Sequence, residues 1–237
     1  MNYLMTPLHK HADLGFGATA DSYKDAADTL KANGAEHSHF NGHLPINFLR
    51  RHAIELYLKS GIIIFHRVLK LPFGEKPWDS DPMVRISGTM WRPLYKTHSI
   101  KTLHNYFFQL FIEHTDFLVS NTRTNWNFPP ELADQINTVE LFDPDGTHAR
   151  YPVTKDAAID QVKSSIAERS CDEILARMKE EKKPVKAFLM VNDDSEIVQS
   201  FSLNSDPMPE LTAALKAVAE MLHDCHAAMR GELTGTF

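Results

Sequence analysis

Apolar residues recur at three- and four-residue steps over most of the chain, which predicts a succession of amphipathic helices. From Ala20 to Ala32 the apolar side is thin, with Ala26, Ala27 and Leu30 in line, and Asn33-Gly34 supplies a helix stop. A histidine-rich connector, His37 to His43, follows. Between Pro45 and Leu69, Phe48, Leu49, Ile54, Leu58, Ile62, Phe65 and Leu69 cover most of a helical surface, so this is the expected central helix. Pro45 suits its first turn. Residues 71–97 carry Pro72, Pro77, Pro82 and Pro93 and read as a long irregular connection. Thr97 or Ser99 can cap the next helix, whose seam is Ile100, Leu103, Phe107 and Leu110. Leu132, Ile136 and Val139 predict a short helix, and Ile159, Val162 and Ile166 a longer one reaching about Met178. After a charged break at Lys179–Lys183 the period changes. Val185–Val191 and Glu196–Leu203 flank Asn192-Asp193-Asp194-Ser195 as a β-hairpin. A last helix follows Pro209, with Leu211, Leu215, Val218, Leu222 and Cys225 on one side. The expected fold is mainly α, a helical bundle over residues 1–180 with a hairpin-plus-helix appendage over residues 181–237.

Composition narrows the class. The chain has 237 residues, 43% hydrophobic and 24% charged, which excludes disorder, a collagen repeat and a coiled-coil rod. The longest apolar run, Gly61–Phe65, ends at His66-Arg67, far short of the roughly 18–20 residues of a membrane span. Met1-Asn2-Tyr3-Leu4 lacks the basic start and apolar run of a leader. Cys171 and Cys225 are too few and too far apart for a disulfide framework and read as two buried thiols. A cytoplasmic protein without membrane association is expected.

Charge is uneven. Residues 1–125 hold 14 Lys/Arg against 11 Asp/Glu, whereas residues 126–237 hold 11 against 20. The basic stripe of a duplex-DNA binder is absent, and any phosphate site belongs in the first half. Local basic groups there are Arg50, Arg51, Lys59 and Arg67, and Arg85, Arg92, Lys96 and Lys101.

Four motifs in order resemble one family. Phe48-Leu49-Arg50-Arg51-His52-Ala53-Ile54-Glu55-Leu56-Tyr57-Leu58-Lys59 is similar to the FLxxHAxELxLK helix of HEPN domains (higher eukaryotes and prokaryotes nucleotide-binding). Ala20–Ala27 resembles that family's first helix, Thr97–Leu103 its HdLxxL helix start, and Ala149-Arg150-Tyr151-Pro152 its RYP element. The resemblance covers about residues 18–178. It implies an up-and-down helical bundle that forms a homodimer. It also implies one of two functions. One is RNA binding or cleavage by a metal-independent endoribonuclease of a toxin or defence system. The other is a non-catalytic dimeric interaction module that binds a nucleotide or a partner protein, such as an antitoxin or a nucleotidyltransferase.

Catalytic members use an Arg-x(4–6)-His motif, and Arg92-Pro-Leu-Tyr-Lys-Thr-His98 has that spacing. Neutral imidazole can accept the proton of an RNA 2′-hydroxyl while guanidinium stabilises charge on the attacked phosphate. His98 stands at an expected helix N-terminus, where the dipole disfavours imidazolium and the backbone offers a phosphate site. Capping or packing of its helix is the alternative role. Arg150 either pairs with a carboxylate such as Glu55 or enters the pocket of His98. Arg92, His98 and Arg150 are therefore the candidate catalytic residues. Candidate RNA- or nucleotide-binding residues are His52, Glu55, Lys59, Lys96, Lys101 and His104. Of these, His52, Glu55 and Lys59 share a helix face with His66, as a groove lining or as a solvated stripe with an i, i+4 ion pair. His9, His11, His37, His39 and His43 could supply imidazoles, as could His223 and His226 beside Cys225, but none has a regular ligand spacing. No metal or cofactor is expected.

Overall fold

The computed structural model describes residues 3–35, 40–180, 185–204 and 206–235. His37 and His39, and Glu181–Lys183 of the charged break, lie outside these described residues.

Helix α1, Phe16–Ala32, begins where the Asp13 carboxylate accepts the amides of Gly15 and Gly17 at 3.0 and 2.7 Å. It ends at Asn33-Gly34, as its sequence requires. Helix α2, His43–Leu69, is buried nearly all round from Ala53 to His66 and is the central element. Its Ile54, Leu58, Ile62, Ile63 and Phe65 share one core with residues of the later helices. Each such side chain contributes about 1.5–3 kcal/mol of apolar burial. The expected irregular connection contains a strand pair, β1 (Met83–Ser87) and β2 (Met90–Pro93), antiparallel around Gly88-Thr89. Helix α3, Ile100–Glu113, is capped by Ser99, whose hydroxyl accepts the Thr102 amide at 3.1 Å. Helices α4, Thr115–Asn121, and α5, Leu132–Phe142, follow.

The long helix expected from Ile159 to Met178 is instead three elements: α6 (Ala157–Val162), β3 (Ile166–Glu168) and α7 (Cys171–Glu180). Serine hydroxyls break the helical period. The Ser164 hydroxyl bonds the backbone of Ile166, and Ser165 exchanges hydrogen bonds with Asn41 at 2.7–3.0 Å. Ser170 and Glu173 then form a reciprocal capping box that restarts a helix. β4 (Lys186–Val191) and β5 (Ile197–Leu203) form the expected hairpin, but β3 adds to β5 to give a three-stranded antiparallel sheet in the order β3-β5-β4. Helix α8, Pro209–Thr234, leaves the hairpin and packs on α2, burying Leu211, Leu215, Val218 and Leu222 in the main core. Both the sheet and α8 thus cross the expected division at residue 180.

The expectation of a mainly α, up-and-down bundle is corrected. Eight helices and two small antiparallel sheets among the described residues make a mixed α/β structure. No helix is long and apolar enough to cross a membrane among those residues.

Candidate functional site

Arg51, Glu55 and Lys59 follow one another at four-residue steps and therefore lie on one face of α2. All three are buried, which corrects the reading of this face as a solvated stripe. Glu55 is the hub. Its Oε1 accepts Lys59 Nζ at 2.7 Å, and its Oε2 accepts Arg51 Nη1 at 3.3 Å. Arg51 extends the network off the helix. Its Nε lies 3.1 Å from Asp143 Oδ2, at the end of α5, and its Nη2 donates to the His98 carbonyl at 2.9 Å.

His98 is held twice, by its backbone and by its ring. Nδ1 is 3.0 Å from Glu55 Oε1, while 58% of the side chain remains exposed. Burial pushes the Glu55 carboxyl up, but the charge and hydrogen bond of Lys59, the bond to His98 and the charge of Arg51 outweigh it and hold the group below the ordinary range. An ionised Glu55 requires a proton on Nδ1, so the neutral ring keeps its free lone pair on Nε2. The result is a half-exposed imidazole braced by a buried carboxylate, the arrangement of a general base and its orienting partner.

His98 does not cap α3, since Ser99 does. Nor is the N-terminus of α3 an open phosphate site. The Glu140 carboxylate occupies it, accepting the Ser99 hydroxyl at 2.9 Å and the Lys101 amide at 3.2 Å.

The other candidates are distributed around this dyad. His52, half-buried, sits edge-on to Tyr23 at 4.6 Å and stacks parallel to Phe48 at 6.0 Å. Burial lowers its pKa, Glu55 partly opposes this, and the charges of Lys59, Arg150 and Arg51 add to the lowering. Arg150 is exposed, with its guanidinium 5.4 Å from the centre of the Phe48 ring, and so belongs to the same neighbourhood. Arg92 is exposed on β2, opposite Val84 in the ladder, and no hydrogen bond or ion pair joins it to His98. Lys96 and Lys101 are exposed, the former 5.8 Å from the centre of the Tyr95 ring. His104 is buried and stacked on Phe108 at 5.4 Å, where burial lowers its pKa; it is a core residue and not a surface ligand contact.

Two members of the network were not singled out from the sequence as site residues. Arg51 had a signal, since it stands four residues before Glu55 as Lys59 stands four after. Asp143 had none, because it meets Arg51 across 92 positions. Asp143 also lines a cleft of about 360 Å³ with Leu141, His148, Tyr151, Lys155 and Ile159. Asp145 and Asp156 on the same wall make that cleft a poor phosphate site.

Among the described residues, no group of three or more His, Cys, Asp or Glu side chains could hold a metal ion. His11 bonds the Thr6 carbonyl at 2.9 Å, and His43 is buried at the start of α2. His223 bonds Asp21 and Tyr57, while His226 faces Asp13 at 3.5 Å.

No family model matches the chain, and neither does any curated protein or any solved structure.

Proposed function

We propose that this protein binds RNA and cleaves it without a metal ion, using His98 as the general base. The observation that carries the reading is the bond between His98 Nδ1 and the buried Glu55 carboxylate, which leaves Nε2 as the ring's free acceptor. In the proposed step Nε2 takes the proton of a 2′-hydroxyl and the 2′-oxygen attacks the adjacent phosphorus. The bond from phosphorus to the 5′-oxygen breaks, giving a 2′,3′-cyclic phosphate and a 5′-hydroxyl that takes its proton from imidazolium or water. Glu55 is a positioning residue that stabilises the imidazolium, and Lys59 and Arg51 keep it ionised. Arg150, exposed beside the Phe48–His52 pair, is the favoured phosphate clamp over Arg92. The resemblance read from the helix motifs points the same way. The setting is cytoplasmic, where Cys171 and Cys225, which form no disulfide, stay reduced.

The test is incubation of the purified chain with single-stranded RNA in excess chelator, followed by identification of the new ends. Cyclic phosphate ends, absent when the scissile nucleotide is 2′-deoxy, support the reading. Absence of cleavage with and without chelator removes it.

A second reading, a non-catalytic dimeric module that binds a nucleotide or a partner such as an antitoxin or nucleotidyltransferase, is favoured by one observation. Strand β4 exposes Phe188, Leu189, Met190 and Val191 together.

A further inference from the structure

β4 forms one side of the second sheet, with β5 as its single partner strand among the described residues. All six residues from Lys186 to Val191 are exposed. Successive side chains of a strand point to opposite faces, so both faces of β4 are uncovered. Phe188, Leu189, Met190 and Val191 are each 47–58% exposed, as are Ile197 and Val198 of β5. Phe40 extends the patch, edge-on to Phe188 at 5.8 Å. Soluble proteins protect such edges with proline, a mid-strand charge or a covering element. Ala187-Phe188-Leu189-Met190-Val191 has neither proline nor charge.

We infer that β4 is a dimerisation edge, along which a second copy of this chain pairs antiparallel about a two-fold axis near Leu189. The charge pattern favours this occupant and this direction. Lys186 opens the strand, whereas Asp193, Asp194 and Glu196 crowd the turn that follows it. Antiparallel self-pairing lays each Lys186 beside the acidic turn of the other copy, twice by symmetry. Parallel pairing would set acid against acid and lysine against lysine. The antiparallel pair joins two three-stranded sheets into one and leaves only the three-residue β3 strands outermost. It also withdraws the Phe188–Val191 side chains from water, the driving force for association. None of the residues around His98 takes part, so this inference does not rest on the RNA reading.

Sedimentation equilibrium of the full chain over a range of concentrations tests it. A reversible dimer is expected, converted to monomer by Met190→Glu with an unchanged far-ultraviolet circular dichroism spectrum. Lys186→Glu should weaken the dimer, and adding Asp193→Lys and Asp194→Lys should restore it. Mixed Ala187→Cys and Val191→Cys chains, whose cysteines face each other in that register, should cross-link on oxidation more readily than either alone. A wild-type chain that stays monomeric, a dimer that survives Met190→Glu, open-ended growth, or failure of the charge swap to restore pairing would each overturn the inference.

Discussion

Glu55 Oε1 and His98 Nδ1 lie 3.0 Å apart although 43 positions separate them in the chain. One is buried within the central helix, the other more than half exposed before α3. The bond therefore transmits the charge state of the interior to a surface imidazole. The buried cations Lys59 and Arg51 fix that charge state.

Glu55→Gln preserves the shape and removes the charge. Cleavage at neutral pH is expected to fall by about a hundredfold or more. Because Glu55 acts through His98, Glu55→Gln should cost little further rate in a His98→Ala background. Additive losses in the double variant would reduce Glu55 to a structural role.

Arg51→Ala leaves Glu55 and Asp143 with an uncompensated share of buried charge. Removing one partner of a buried network costs about 3–5 kcal/mol. Urea unfolding should show that loss as a lower midpoint with an unchanged slope. A change under about 1 kcal/mol would mean that water replaces the guanidinium.

Arg150 and Arg92 separate in RNA binding. Arg150→Ala should weaken binding to single-stranded RNA and lower the slope of log affinity against log salt by roughly 0.7. Arg92→Ala should leave that slope unchanged. The opposite result would return the phosphate clamp to β2.

Much of this architecture is legible in the sequence because its signals are local and periodic. The apolar surface of α2, the cap at Ser99, the Asn33-Gly34 stop and the β4–β5 turn each act within a few residues. The segment from Ile159 to Met178 misleads for the same reason. Its apolar spacing suits one helix, but the hydroxyls of Ser164 and Ser170 and the side-chain oxygen of Asn41 accept its backbone amides and divide it. The first sheet is masked by Pro82, just before β1, and Pro93, the last residue of β2. In the site, Glu55 and Lys59 are marked by their four-residue spacing. Their burial is not, since it depends on Asp143 and His98 arriving from distant parts of the chain.

Gly61 is the close approach between α2 and α3. A β-carbon there would lie 2.5 Å from the ring of Phe107, which is buried in the core. Alanine gains about 1 kcal/mol in helix propensity, but overpacking costs about 1–3 kcal/mol, so Gly61→Ala should lower stability overall. Adding Phe107→Leu should recover part of the loss in denaturant unfolding; a stabilised single variant would show that the ring shifts freely.

His66 gives the fold an acid limit. Burial lowers its pKa from 6.5 to about 4, opposed by its bond to the Leu71 carbonyl and helped by the charge of His114. The unfolded chain binds this proton first, so stability falls as pH drops from 6.5 to about 4, by at most about 3 kcal/mol from this group. His52, His104 and His148, lowered mainly by burial, act with the same sign. Glu55, held below its usual value of 4.5, withdraws its contribution at still lower pH. Thermal midpoints of His66→Gln should depend less on pH across that interval than those of wild type.

The most direct measurement is the single-turnover cleavage rate of single-stranded RNA in chelator, for wild type and His98→Ala, with thermal midpoints recorded alongside. Because the ring is more than half exposed, the midpoints should nearly coincide while the variant loses cleavage by about a hundredfold or more. Equal rates in the two proteins, or no cleavage by wild type, would contradict the assignment of His98 as the base.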